Sequence, residues 1–393
     1  MIDNIPQRER AGTSGPLAGI RIIEFGGIGP APMCAMLLAD LGAQLLRLER
    51  IGEPALGTPR PLRYDLLLRS RKSIAINLKD ARAAALVHDL IRTADASIEG
   101  FRPGVAERLG IGPDDCLAIN PRLVYGRMTG WGSSGPLAHT AGHDLNYIAL
   151  TGALNAIGRK GAPPTPPLAL LGDFAGGGLY MALGIVSALL ERERSGKGQV
   201  VDAAILDGTA SLMTVFFGLL AAGVINERRG ENLHDSGAFF YDVYECADGR
   251  WMAVAAIEDK FRAELFRVLD IPRDAALEGD RAQWPAIRAR IADRFKTRTR
   301  QEWSAIFAGI DACVSPVLSM SEVASHPHTA QRGTFVEIDG VVQPAPAPRF
   351  SRTRTSTPLS PTRASGDDAE QLLTEWGAEA SLVRELAKNG VIA

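Results

Sequence analysis

One short stretch constrains this chain more than any other. Residues 19–25 (GIRIIEF) form an isoleucine-rich apolar run, followed by a Gly/Pro turn at 26–32. A helical apolar pattern at 33–41 and a second apolar run at 43–48 come next. Strand, helix and strand at this spacing make a βαβ unit, which requires a parallel sheet with helices over its faces. Candidate strands at 73–77, 96–99 and 123–127, with helices at 81–93 and 104–109, extend the same α/β layout.

Beyond residue 170 a strong helix former spans 175–194 and stops at SGKG (195–198), and a strand at 199–204 leads into an apolar segment at 209–225. Ser211, Thr214, Gly218 and Gly223 interrupt that segment, and it falls short of the ~20 residues a membrane span needs. It is expected to be a buried helix, and no membrane span is expected. The character then changes. Runs at 239–246 and 250–256 flank Ala247-Asp248-Gly249 as a hairpin, with helices at 259–269 and 284–296. These outline a smaller domain over 236–316. Pro-rich loops at 344–348 and onward to 361 precede a final amphipathic helix at 369–386. A length of 393 residues, 46% of them hydrophobic, suits two domains.

A formal net charge of −2 gives no global field for nucleic acid or an acidic membrane, so any anion site is local. One local excess of cations exists, at Arg47, Arg50, Arg60, Arg63, Arg69, Arg71 and Lys72. It reads either as solvated loop charge or as an anion site. The four cysteines, Cys34, Cys116, Cys246 and Cys313, lack metal-ligand or CxxC spacing and suit a reducing compartment. Residues 1–16 are polar, without a secretory apolar core, and the last residues are not a peroxisomal tripeptide. A cytoplasmic location is expected.

Four segments could carry chemistry. Gly26-Gly27-Ile28-Gly29-Pro30-Ala31-Pro32 sits where a dinucleotide fingerprint would, and Glu49 mimics its ribose-binding acid. However, Pro32 occupies the third glycine position, which argues against nicotinamide. In Ala141-Gly142-His143-Asp144-Leu145-Asn146-Tyr147, the histidine at a helix start is either a surface residue or a base kept neutral by the positive helix end. In Gly172-Asp173-Phe174-Ala175-Gly176-Gly177-Gly178, the aspartate is either an N-cap or a catalytic carboxylate. Each of the three glycines disfavours helix by about 1 kcal/mol, so they are expected to offer bare backbone to a ligand. Glu258-Asp259, after the hairpin, read by themselves as a helix cap.

Taken together, GPLAGIRIIEFGGIGPAP, ADLGA, IEGFRPGVAERLG, GRMTGWG, AGHDLNY, GDFAGGG, SGKGQVVDAA and FYDVYECADGR resemble one family in the same order. It is the family III CoA-transferases, most closely their α-methylacyl-CoA racemase branch, over about residues 15–355. The resemblance implies a Rossmann-like large domain built from 1–205 and 330–393, and a smaller α+β domain at 236–316. A linker helix at 206–235 and a return linker at 317–329 join them. It further implies an interlocked homodimer, with the acyl-CoA site between the large domain of one subunit and the small domain of the other. By the same resemblance His143 and Asp173 are the proton-transfer pair, contributed by different chains, and Glu258 orients the histidine. Asp144 belongs to the same catalytic group. The matching CoA contacts are Arg50, Ile76, Asn77, Leu78, Lys79, Gly100, Phe101, Arg102, Arg108, Gly142, Leu145, Asn146 and Tyr147. Ala169 stands where relatives carry an asparagine near the aspartate, so Asp173 is expected to be hydrogen-bonded differently here.

The expected reaction interconverts (R)- and (S)-2-methylacyl-CoA by moving one proton through an enolate. That needs an acid/base on each face of the α-carbon, within ~3 Å of its proton. Histidine titrates near neutrality, and a desolvated carboxylate can be raised to meet it. Backbone N–H groups near Asp144 and along Gly176–Gly178 are expected to stabilise the enolate oxygen. No metal or redox cofactor is required, since CoA is part of the substrate. Two other readings exist. A CoA-transferase would use Asp173 as an acyl-carrying nucleophile. A non-catalytic acyl-CoA binder would need the arginines but neither His143 nor Asp173.

Overall fold

The computed structural model describes residues 14–52 and 57–393, so the polar stretch at 1–16 lies almost wholly outside the described residues. The chain folds into two compact units. The first takes the chain up to Thr151, Leu168–Leu212 and Ala330–Ala393; the second takes Gly152–Pro167 and Met213–Thr329.

The first unit is built on β1 (Arg21–Phe25), β2 (Gln44–Arg50), β3 (Lys72–Ile76), β4 (Ala96–Glu99), β5 (Val124–Thr129) and β6 (Gln199–Ala204). They lie in the order β3-β2-β1-β4-β5-β6, all parallel, with the short strand Thr362–Arg363 added beside β3. The apolar runs read from the sequence are these strands; β1, β2, β4 and β5 are buried along most of their length as inner parallel strands demand, while the edge strand β6 exposes Gln199, Val200 and Asp202. The helices are α1 (Pro30–Asp40), α2 (Ala83–Thr93), α3 (Asp144–Ala149), α4 (Tyr180–Ser195) and α5 (Ile205–Leu212). Cys34, Ala35 and Leu38 of α1 pack with Met181 and Ile185 of α4 on one face of the sheet. On the other face, Leu86, Val87 and Leu90 of α2 meet Leu372, Leu373 and Leu386 from the C-terminal end of the chain. Strand order reverses between β1 and β4, the switch point outside whose carboxyl ends open α/β sheets have their ligand crevice.

Three expectations need correction. Helix α1 starts at Pro30, inside the expected turn, because proline at a first helical position has no useful N–H to lose. The final helix is two, Gly366–Glu375 and Ala380–Lys388, broken at Gly377. That glycine has φ +100, and a Cβ there would lie 2.8 Å from Thr93 Cγ2. The apolar segment at 209–225 is also split. It contains the end of α5 and a separate α6 (Thr214–Ala221), which has no buried residue. Val215 is 59% and Phe217 55% exposed, so the expected burial is absent within one chain.

Length and apolarity alone would let the continuous helical stretch Leu170–Ser195 cross a membrane. Inside the fold, 44% of its most apolar window is buried, and its Met181, Ile185 and Leu189 serve the sheet core.

The second unit carries an antiparallel sheet of β7 (Tyr241–Glu245), β8 (Trp251–Ala255) and β9 (Val314–Pro316). Helix α7 (Asp259–Leu269) and the helices Trp284–Phe295 and Arg300–Phe307 cover it. Phe239, Phe266, Phe295 and Trp303 form its core.

Candidate active site

The turn after β1 enters the crevice at Gly29, whose φ of +67 favours glycine. A Cβ at Gly29 would lie 2.8 Å from Asp173 Oδ2, so this bare backbone is the wall against which the carboxylate rests. Asp173 stands on a π-helical segment, Leu170–Leu179, that runs directly into α4. Widened turns of this kind occur often where a helix carries a functional side chain.

The glycines that follow do not serve the purpose expected of them. Gly176, Gly177 and Gly178 are all buried. Added Cβ atoms would meet Thr209 Oγ1 at 2.4 Å, Pro30 Cβ at 2.9 Å and Met33 Cβ at 2.9 Å. They form the seam where the π-helix presses onto α1 and α5. Their burial in that seam removes them from ligand contact, and with it the expected enolate donors at these positions.

Asp144, the first residue of α3, is buried, and its Oδ1 accepts the Asp173 backbone N–H at 2.7 Å. With alanine at position 169, Asp144 is thus a hydrogen-bonding neighbour of the Asp173 segment. Gly172 is obligatory here, since a Cβ would fall 2.3 Å from Asp144 Oδ1. Burial, and next the Asp144 charge, push the Asp173 carboxyl up to about 6, with His143 acting in the opposite sense. His143 is exposed at the N-cap of α3, and its backbone N–H donates to the Asn146 side chain at 3.1 Å. The His143 charge therefore acts on Asp173 within a single chain.

Asp144→Asn keeps an acceptor for the Asp173 N–H but removes the charge. It is expected to move the Asp173 pKa from about 6 towards its ordinary 3.8, measurable as a downward shift of the acid limb in a pH–rate profile. Because the folded value lies above the unfolded one, the stability linked to Asp173 is full below pH 3.8 and lost as pH rises through about 6. That slope should flatten in the variant. A profile unchanged from the parent would contradict the assigned coupling.

Tyr147 fixes the loop leading to His143. Its hydroxyl donates to the Gly142 carbonyl, and its ring meets Trp131 edge-on with centroids 4.7 Å apart. Cβ atoms at Gly130 and Gly142 would collide with that ring at 2.1 and 2.7 Å. Individual roles for Trp131, Gly130, Gly29 and Gly172 are not evident from the sequence. The glycine density of GRMTGWG is the available signal for the first two.

Most of the expected CoA contacts line the carboxyl edge of the sheet. Arg50 ends β2, Ile76 ends β3 with Asn77, Leu78 and Lys79 after it, and Gly100, Phe101 and Arg102 follow β4. Arg50, Lys79, Arg102 and Arg108 are exposed and have no salt bridge among the described residues. Arg102 is close enough to act electrostatically on Tyr147, whose own hydroxyl is raised chiefly by burial. Ile76 is buried, so its side chain serves the core rather than a ligand. Leu145 and Asn146 are exposed on α3.

The other basic residues have structural partners. Arg69 is buried on Asp40 and Gln343, while Arg47 and Arg71 are buried on Glu24. Glu49 is buried too, bound by Arg47 at 3.0 Å and by Arg363, and so is not free as a ribose acid. Glu258 lies in the second unit, at the N-cap of α7. It is exposed, and its carboxylate has no hydrogen bond among the described residues. No cluster of three or more His, Cys, Asp or Glu that could hold a metal occurs among the described residues.

The Rossmann-like sheet thus carries a raised carboxylate and a histidine near its carboxyl edge, beside cations that have no salt bridge among the described residues. Residues 17–368 match CoA-transferase family III, and the chain belongs to that family. It is 40% identical to the α-methylacyl-CoA racemase of Mus musculus over 379 residues, covering 96% of this chain and 97% of the relative. The human α-methylacyl-CoA racemase is likewise 40% identical, over 384 residues with the same coverage. Among solved structures, a CaiB/BaiF family protein from Brucella suis superposes with a TM-score of 0.76 at 25% identity. That match covers 92% of this chain and all of the other.

Proposed function

We propose that this protein is an isomerase that interconverts (R)- and (S)-2-methylacyl-CoA thioesters by proton transfer at the α-carbon. The observation that carries this reading is Asp173, a carboxyl raised to about 6 beside His143 in one crevice. A carboxyl raised towards neutrality can both take and return a proton, as a reversible racemisation requires of its acid–base groups. The 40% identity to two racemases over nearly the whole chain supports the same reading. In the proposed complex, Arg50, Lys79, Arg102 and Arg108 hold the CoA phosphates, with the arginines suited to bidentate contact. His143 and Asp173 face the α-carbon, and a Glu258 supplied by the other subunit of a dimer fixes the imidazole tautomer.

The deciding experiment incubates the protein with a single 2-methylacyl-CoA enantiomer in D₂O. Exchange of the α-hydrogen with inversion is expected. Absence of exchange, with CoA passing to an added carboxylic acid, would instead give Asp173 the nucleophile's role of a transferase. Neither exchange nor transfer would indicate a binding protein.

We also propose a homodimer. Exposed apolar side chains on α6 (Val215, Phe217) and on the helical stretch at Leu179, Leu183 and Leu190 are what a protein–protein interface would cover. Sedimentation is expected to give twice the 42.0 kDa chain mass. A single-chain mass at micromolar concentration would remove this proposal. The proposed location is the cytoplasm, supported by four free cysteines, three of them buried.

A further inference from the structure

Beneath the crevice lies a cluster of buried charges that the chemistry above does not use. Glu24, on β1, is fully buried. One of its carboxylate oxygens takes Arg47 and the other takes Arg71, and both arginines are themselves buried. Each guanidinium also reaches backbone on one side of Gly29, Arg47 in the turn after β1 and Arg71 in the first turn of α1. Arg47 Nη2 donates to the Gly27 carbonyl at 3.0 Å, and Arg71 Nη2 donates to the Pro32 carbonyl at 3.3 Å. These two carbonyls bracket Gly29, the residue whose bare backbone lies against Asp173 Oδ2.

We propose that Glu24, Arg47 and Arg71 form a positioning device for Asp173: the carboxylate clamps two guanidiniums, which pin the backbone on either side of Gly29, in the turn after β1 and in the first turn of α1, and so hold the wall of the catalytic carboxyl. Burying ionic groups of this kind is weak support for stability, because desolvation offsets the attraction, so a geometric role is the better reason for their presence. The inference rests on the proton-transfer reading of Asp173 and extends it to residues outside the crevice. Loosening the turn admits water to Asp173, and burial is the largest influence on that carboxyl. The charged or titratable groups that face Asp173 are Asp144, His143 and Tyr147, all from α3 or its cap, and none changes in the variants below. Glu24 itself faces Arg47, Arg71 and the buried Cys34 thiol.

The test is Glu24→Gln, which preserves shape and halves the clamp, with Arg71→Met as a second variant that releases only the Pro32 end. Both are read by α-hydrogen exchange in D₂O across pH. The expected result is a kcat lowered about 10-fold, an apparent pKa on the acid limb shifted down by about one unit, and KM for acyl-CoA within about two-fold of the parent. A role confined to stability would lower the unfolding midpoint while leaving that pKa in place, and this outcome overturns the proposal. Should Glu24→Gln fail to fold, an unshifted pKa in Arg71→Met alone overturns it. If the parent protein exchanges no α-hydrogen at all, the proton-transfer reading fails first, and NMR titration of the Asp173 carboxyl in parent and variants still decides whether the clamp sets its environment.

Discussion

Asp173→Asn is expected to lower α-hydrogen exchange and inversion of a 2-methylacyl-CoA by about 10²- to 10⁴-fold, the range typical for removing a positioned acid–base group. The amide keeps the size of the carboxyl and its place against Gly29 but can neither take nor return a proton. His143→Ala is expected to remove most inversion as well, since racemisation needs a group on each face. The two losses should not add, because both residues serve one proton relay. Arg102→Ala provides the contrast. It leaves both acid–base groups in place and removes one exposed, unpaired cation from the carboxyl edge of the sheet. A charge-assisted contact is worth about 1.5–3 kcal/mol, so KM should rise by about ten-fold or more while kcat holds. Steady-state kinetics on each enantiomer separates the two patterns. An Asp173→Asn variant that keeps full inversion would end the proposed mechanism.

Much of this arrangement was legible in the sequence, and the parts that were not share a physical cause. The inner strands announce themselves because a parallel sheet buried on both faces needs continuous apolar runs; β4, buried along its whole length, falls at the expected residues, 96–99. Asp173 stood out as a carboxylate in a glycine-rich segment, and His143 as a histidine at a helix start. Long-range partners were hidden. Arg47, Arg69 and Arg71 looked like neighbours of Arg50 in one basic stretch, yet the first three are buried on Glu24 and Asp40. Alternation along β2 and the turn that precedes β3 turn these side chains inward, and local sequence does not say where an acidic partner waits. The exposure of α6 was equally invisible. Hydrophobicity indicates that a face must be covered, without saying whether the cover belongs to the same chain.

The glycines of the π-helix lead to the second large expectation. Gly208 of α5 sits against Gly176, and a Cβ at Gly208 would lie 1.9 Å from the Gly176 carbonyl oxygen and 2.8 Å from its carbon. The clash is with backbone, so no side-chain rotation relieves it; α5 or the π-helix must move. Gly208→Ala is therefore expected to destabilise the protein by about 1–3 kcal/mol, although alanine is the better helix former by about 1 kcal/mol. The same displacement reaches Asp173, three residues before Gly176 on the same helical segment, so exchange activity should fall along with stability. Gly279→Ala is the control. Gly279 is also helical, at the end of the helix Ala275–Gly279, but an added Cβ there meets nothing within 4 Å, so it should be neutral or slightly stabilising. Urea unfolding midpoints and exchange rates for the two variants test the assignment of these glycines to a packing seam. Equal behaviour of the two would mean that the helices are not locked together at Gly176, and that the position of Asp173 does not depend on their close approach.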